Sequence, residues 1–162
     1  MYSTDQVVMH YKFGLVKVLG TEYNQEKMCD CVKVMAIKDS LIDYIDVNDK
    51  SHKLRELITK EELEKLVAKM NVISDRMIKN KKEREFKYNT QCLYGSTLDL
   101  IIIVKRYFYL FEMYHPSYMT QKEIEIFKLA KEKLFQETSY VMNIKYEEAE
   151  EYLFKKKTNL MI

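Results

Sequence analysis

The sequence predicts an α+β protein: a small N-terminal β-barrel or sheet followed by a compact bundle of about five α-helices. Three observations carry this expectation. Up to about Val47 the apolar residues come in short runs rich in Val, Ile and aromatics, separated by the turn-like stretches TEYNQE and KDS. Beyond that point the apolar period becomes that of an amphipathic helix. Hydrophobic residues make up 47% of the 162, enough to fill a real core. No Gly/Ser/Pro linker separates the halves, so a close junction is expected near Asn48–Leu57, with domains at 1–55 and 56–162.

The runs DQVVMH, FGLVKVLG, KMCDCVKVMAI and LIDYIDV read as strands. Several must pair, since a lone hairpin is not stable. Gly14 and Gly20 flank the second, where tight bends are needed. The helices follow. Thr59 with Glu62 three residues on has capping-box spacing, and Leu63, Leu66, Val67 and Met70 form the first apolar stripe. A second helix is expected over about 74–89 and a third, apolar almost all round, over about 96–114. Pro116 ends that run because it cannot continue the hydrogen-bond ladder. Thr120 and Glu123 restart the chain with another capping box. Ile124, Phe127, Leu134 and Phe135 then face the third helix. A last helix, over about 145–157, carries Tyr146, Ala149, Tyr152 and Leu153 on one side.

Composition excludes several functions. The charge is +2, from 27 basic and 25 acidic residues, so nucleic-acid binding needs a local patch. LDLIIIVKRYFYLF meets Lys105 and Arg106 too soon to span a bilayer. The opening MYSTDQVVMHYKF lacks the pattern of a signal peptide, and a soluble cytoplasmic monomer is expected. Cys29 and Cys31 share one face of a strand, with no second Cys or His pair at metal-site spacing, and read as buried thiols, as does Cys92. His10, His52 and His115 are scattered and read as structural or surface residues. No nucleophile–base pair, metal-ligand set or phosphate-binding Gly loop can be assembled, so neither an enzyme nor a cofactor is expected.

Several segments together resemble the CarD/CdnL family of bacterial transcription regulators. DQVVMHYKFGLVKV is similar to that family's Gly-Asp-x-Val-Val-Tyr-Pro strand and following turn. NDKSHKLRELITKEELEKL is similar to its junction, with Asn48, Leu54, Arg55 and Glu56 in place. YGSTLDLIIIVKRY follows its Ser-Gly-Asp…Val-Arg helix, with Gly95, Val104 and Lys105 in step. MTQKEIEIFKLAKEKLFQE and EEAEEYL match its last two helices. The resemblance covers almost the whole chain in order. It implies a Tudor-like N-terminal module that docks on the β subunit of RNA polymerase, and a helical domain that contacts promoter DNA at the upstream edge of the bubble. The open complex would be the regulated state.

Residue by residue, the resemblance puts the family's DNA-facing Asn-Trp-x-x-Arg at Asn80, Lys81 and Arg84, with Lys81 where the family has Trp. The stretch KNKKEREFKY holds five basic and two acidic side chains. Lys79, Lys81, Lys82, Arg84 and Lys87 would neutralise phosphates, and Phe86 or Tyr88 would offer a stacking surface. Lys81, Lys82 and Arg84 are expected to be exposed. The plain alternative is a solvated helix face held by Glu83–Lys87 and Lys81–Glu85 pairs. Asp43, Tyr44 and Ile45 lie on the last strand of the expected polymerase-docking surface, with Asp43 at an often basic family position. A second reading is a protein–protein adaptor that has lost DNA binding. Its surface would be the tyrosine-rich RYFYLFEMYHPSYM, with Tyr107, Tyr109, Tyr114 and Tyr118 exposed.

Overall fold

The structure, a computed structural model, describes residues 2–74, 78–113 and 119–155. The chain divides into two units, Met1–Leu57 and Ile58–Ile162.

The first unit is a five-stranded antiparallel sheet of order β4-β3-β2-β1-β5: β1 Val7–His10, β2 Gly14–Asn24, β3 Cys29–Ala36, β4 Ile42–Asp46 and β5 Leu54–Arg55. The sheet is open, with β4 and β5 as its edges, so the barrel alternative is corrected to a sheet. It nevertheless coils strongly. In a flat sheet β1 and β4 would lie roughly 14 Å apart, three strand spacings. Here His10 on β1 and Asp43 on β4 meet at 3.1 Å. Gly14 and Gly20 both have positive φ, and the register shifts between Val18 and Gly20, so the bends fall where only Gly is unstrained. Val8, Val16, Val18, Val32, Val34, Ala36, Ile45 and Leu54 form the core on the concave side. Two expectations are revised. β2 continues through Thr21–Asn24, expected as a turn, and β5 is a strand too short for periodicity to reveal.

The second unit packs α1 Lys60–Ala68, α2 Lys81–Tyr94, α3 Thr97–Met113 and α4 Gln121–Met142, followed by a 3-10 turn Tyr146–Glu148 and a π turn Glu151–Lys155. Both capping boxes form, at Thr59/Glu62 and Thr120/Glu123. The core joins Leu63, Met70, Leu100, Ile101, Val104, Phe127, Leu134, Phe135, Ala149 and Leu153. The second helix starts later than expected because Asn80 caps it, accepting from the Glu83 N–H. The last expected helix is present as a continuous helical run over 146–155, opening as the 3-10 turn and closing as the π turn. Pro116, His115, Tyr114 and Tyr118 lie outside the described residues.

Candidate functional site

The N-terminal half of α2 is a mixed surface. Lys79, Lys81 and Lys82 are exposed, as expected. Phe86 is 78% exposed, one turn after Lys82 on the same helix face. The first N–H groups of α2 and its dipole add to this positive end, partly offset by Glu83. Two of the named residues are elsewhere. Arg84 is buried: its Nε donates to Glu123 Oε1 at 2.6 Å and its Nη1 to the Ile78 carbonyl at 2.9 Å. Tyr88 is fully buried and meets the Tyr107 ring edge-on. The expectation that both would face DNA is therefore corrected. Period explains it: Arg84, Tyr88 and Cys92 recur every fourth residue and form the inner face of α2. Lys87 is half-buried, with Nζ 5.8 Å from the Tyr88 ring centre. Glu85 accepts from Thr120 Oγ1 at 2.6 Å, so it serves the α4 cap.

Three further charged side chains, none singled out from the sequence as buried, finish helix ends. Lys133 is buried and donates to the carbonyls of Cys92 and Leu93 at the end of α2. Lys105 donates to those of Met70 and Ile73 beyond α1. Glu137 accepts from the Ile58 N–H and from Thr97 Oγ1 at the start of α3, each at 3.0 Å. Nothing in an amphipathic pattern marks them, since Lys and Glu at such positions normally face water.

On the sheet, the three residues named for polymerase docking separate. β4 is an edge strand, so its outward backbone groups face away from the ladder. Two of these are already engaged at Tyr44, whose N–H donates to Asp43 Oδ1 and whose carbonyl accepts from Lys27 Nζ. Tyr44 presents its ring, with Lys33 Nζ 5.4 Å from its centre. Asp43 is half-buried and holds the fold. The His10 Nδ1 accepts the N–H groups of Lys12 and Phe13, so Nε2 carries the proton and donates to Asp43 Oδ2. Asp43→Arg would thus break the coil of the sheet as well as change its surface. Ile45 is buried and lines a groove of about 560 Å³ on the open side of the sheet, together with Tyr2, Val32, Val47 and Leu54. Ile37, Leu41 and Ile42 are exposed apolar residues at the β3–β4 hairpin, and Val47 is another just past β4. That hairpin was not singled out by sequence reasoning.

For the adaptor surface, Tyr107 is core and Tyr109 is exposed beneath Arg106. Among the described residues there is no group of three or more His, Cys, Asp or Glu able to hold a metal ion, and no helix is long and apolar enough to cross a membrane. No protein-family model matches the chain, and no curated protein matches it.

Proposed function

We propose that this protein is a divergent regulator of the CarD/CdnL type: a Tudor-like sheet docks on the β subunit of bacterial RNA polymerase, and the start of α2 contacts promoter DNA at the upstream edge of the bubble. The observation that carries the DNA half is the exposed Phe86 ring beside Lys79, Lys81 and Lys82. Phosphate neutralisation gives position with little sequence preference, and a free aromatic face offers a platform for an unpaired base. Phe86 thus takes the role that the family gives to Trp, five residues beyond Lys81. The polymerase half rests on the resemblance and on the exposed hairpin next to the β4 edge. With three lysines, DNA binding without polymerase is weak and strongly salt-dependent.

The test uses the full chain with purified bacterial RNA polymerase on forked promoter DNA. Replacing Lys79, Lys81 and Lys82 by Ala should weaken retention similarly on unrelated promoters. It should also lower the salt slope by about 0.7–0.9 per lost phosphate contact. Phe86→Ala should cost a further ~1–3 kcal/mol on DNA with unpaired bases and little on duplex. Undiminished DNA affinity and open-complex lifetime in the triple variant would reject DNA contact by α2. The adaptor reading has its own support: Arg84, the one arginine of the stretch, faces Glu123 instead of solvent. It predicts polymerase capture that neither substitution affects.

A further inference from the structure

Cys29 and Cys31 stand at the start of β3 with their sulfurs 3.6 Å apart. Side chains two apart in a strand share a face, but strand rise puts their Cα atoms roughly 6.6 Å apart. These two side chains lean together. That Cα spacing is near the upper end of the range of about 4.4–6.8 Å that a disulfide spans, but the two Cβ atoms must also come within about 3.5–4.5 Å, so closure has to bend and shorten the start of the strand. The shortening has somewhere to go. Cys29 is the first residue of β3, directly after the turn containing Lys27 and Met28, where Met28 already has positive φ. Lys27 in that turn donates to the outward carbonyl of Tyr44 on the β4 edge, and its Nζ lies 4.0 Å from Asp43. Cys31 pairs with Asp46 at the end of β4.

We propose that Cys29 and Cys31 form an oxidisable dithiol, and that closing it to an intrastrand disulfide pulls Lys27 away from the β4 edge. Cys29 is half-buried and Cys31 fully buried, so Cys29 meets the oxidant and Cys31 resolves. With hydrogen peroxide, the Cys29 sulfur attacks one oxygen and the O–O bond breaks. Cys29 becomes a sulfenic acid and one water leaves. The Cys31 sulfur then attacks the Cys29 sulfur and the S–O bond breaks. Hydroxide departs with the Cys31 proton as a second water. Two thiols and one peroxide give one disulfide and two waters. Burial, then the Cys31 contact and the nearby Asp46 carboxylate, push the Cys29 thiol up to about 11. The thiolate is therefore scarce at neutral pH and closure is slow, in keeping with a response to sustained oxidant. A disulfide held within a strand is strained and readily reduced again. The freed Tyr44 carbonyl would then be open to another strand. Only the consequence for polymerase docking rests on the function proposed above.

The experiment treats the full chain with diamide, a thiol oxidant that takes two electrons and two protons without attacking methionine. The tryptic peptide Met28–Lys33 contains both thiols and should become two hydrogens lighter, with the change reversed by dithiothreitol. Cys92, buried against the Ile126 carbonyl, should remain a free thiol. Cys29→Ser and Cys31→Ser should each abolish the loss of two hydrogens, so a folding defect in one leaves the other informative. Amide exchange at Tyr44 and Asp46 should rise on oxidation of the wild-type chain and not of the Cys29→Ser chain. Persistence of all three thiols under diamide would overturn the proposal, as would oxidation that links Cys29 to another chain instead of to Cys31. Closure with unchanged exchange in β4 would overturn the coupling to the edge.

Discussion

Among the described residues, the buried polar side chains of the β unit amount to His10 alone, whereas the helical unit buries Arg84, Glu123, Lys133 and Glu137. The difference follows from how each architecture satisfies its backbone. Strands pair sideways, so a sheet leaves few orphaned groups except at its edges. Each helix instead leaves four N–H and four C=O groups without intrahelical partners, and in a bundle some of these ends are buried. Glu123 works within the α4 capping box, Glu137 takes N–H and hydroxyl donors near two helix starts, and Lys133 takes carbonyls at the end of α2. Buried charge in this protein therefore sits where helices end.

Breaking that arrangement at its centre gives the largest effect. Glu123→Ala removes the partner of Arg84 and half of the α4 capping box at once. Removing one member of a buried ion pair typically costs about 3–5 kcal/mol, so denaturant unfolding should shift by that amount. Amide exchange should rise in α2 and α4 and stay unchanged in β1–β4. Equal loosening of both units would contradict the assignment of this pair to the helical unit alone. The matching substitution in the sheet is His10→Ala. It strips the N–H groups of Lys12 and Phe13 of their acceptor, Asp43 Oδ2 of its donor and the Phe13 ring of its stacking partner. A loss of about 2–3 kcal/mol is expected, with exchange rising first in β4.

This contrast also explains what could be read from the sequence. Where apolar period alone decides, the reading held for the alternating Val residues of β1–β3, the stripe of α1, and the inner face of α4 at Phe127, Leu134 and Phe135, but not for Ile124, in whose place Ile126 enters the core. The capping boxes at Thr59 and Thr120 were equally legible, because their chemistry is local. Arg84 was misplaced because a lone arginine in a lysine-rich stretch looks solvated, and its partner lies 39 residues further on. Lys133 and Lys105 were missed for the same reason, since they serve carbonyls of other helices. At the candidate site the exposure of Lys79, Lys81 and Lys82 was legible, but the choice between Phe86 and Tyr88 was not. The Asp43–His10 contact was not, because it depends on the coiling of the sheet. β5 escaped because two residues cannot show a period.

A gain of stability should come from the buried phenol of Tyr107. Its hydroxyl has no hydrogen-bond partner among the described residues, and burial, reinforced by the Glu123 carboxylate, pushes its pKa well above the usual phenol value. Tyr107→Phe keeps the ring packed against Tyr88 and Phe127 while removing the unsatisfied group. A rise of about 1 kcal/mol in unfolding free energy is expected. A fall would mean that the hydroxyl has a partner and that the interior of the helical unit is more fully satisfied than that of the sheet.

The smallest effect lies at the exposed start of α1, where the same helix-end chemistry operates in water. Thr59 Oγ1 accepts from the Glu62 N–H, and Glu62 accepts in return from the Thr59 N–H and hydroxyl. Those bonds hold the Glu62 carboxyl below its ordinary value, with the backbone N–H contributing most. A depressed carboxylate contributes stability that is complete above its unfolded value and is lost as pH falls through the folded one. Thr59→Ala should therefore cost about 1 kcal/mol at neutral pH and less in acid, where Glu62 is protonated in either protein. Glu62→Gln should flatten the same acid limb while retaining the Thr59 cap, since an amide oxygen still accepts from the N–H. The measurement is urea unfolding of the three proteins between neutral pH and about pH 3, spanning the ordinary glutamate range. If the Thr59→Ala deficit stays constant across that range, the cap acts through the threonine oxygen alone. Solvent would then have reduced this exposed charge to a bystander, in contrast to Glu123, which works through the same motif while buried.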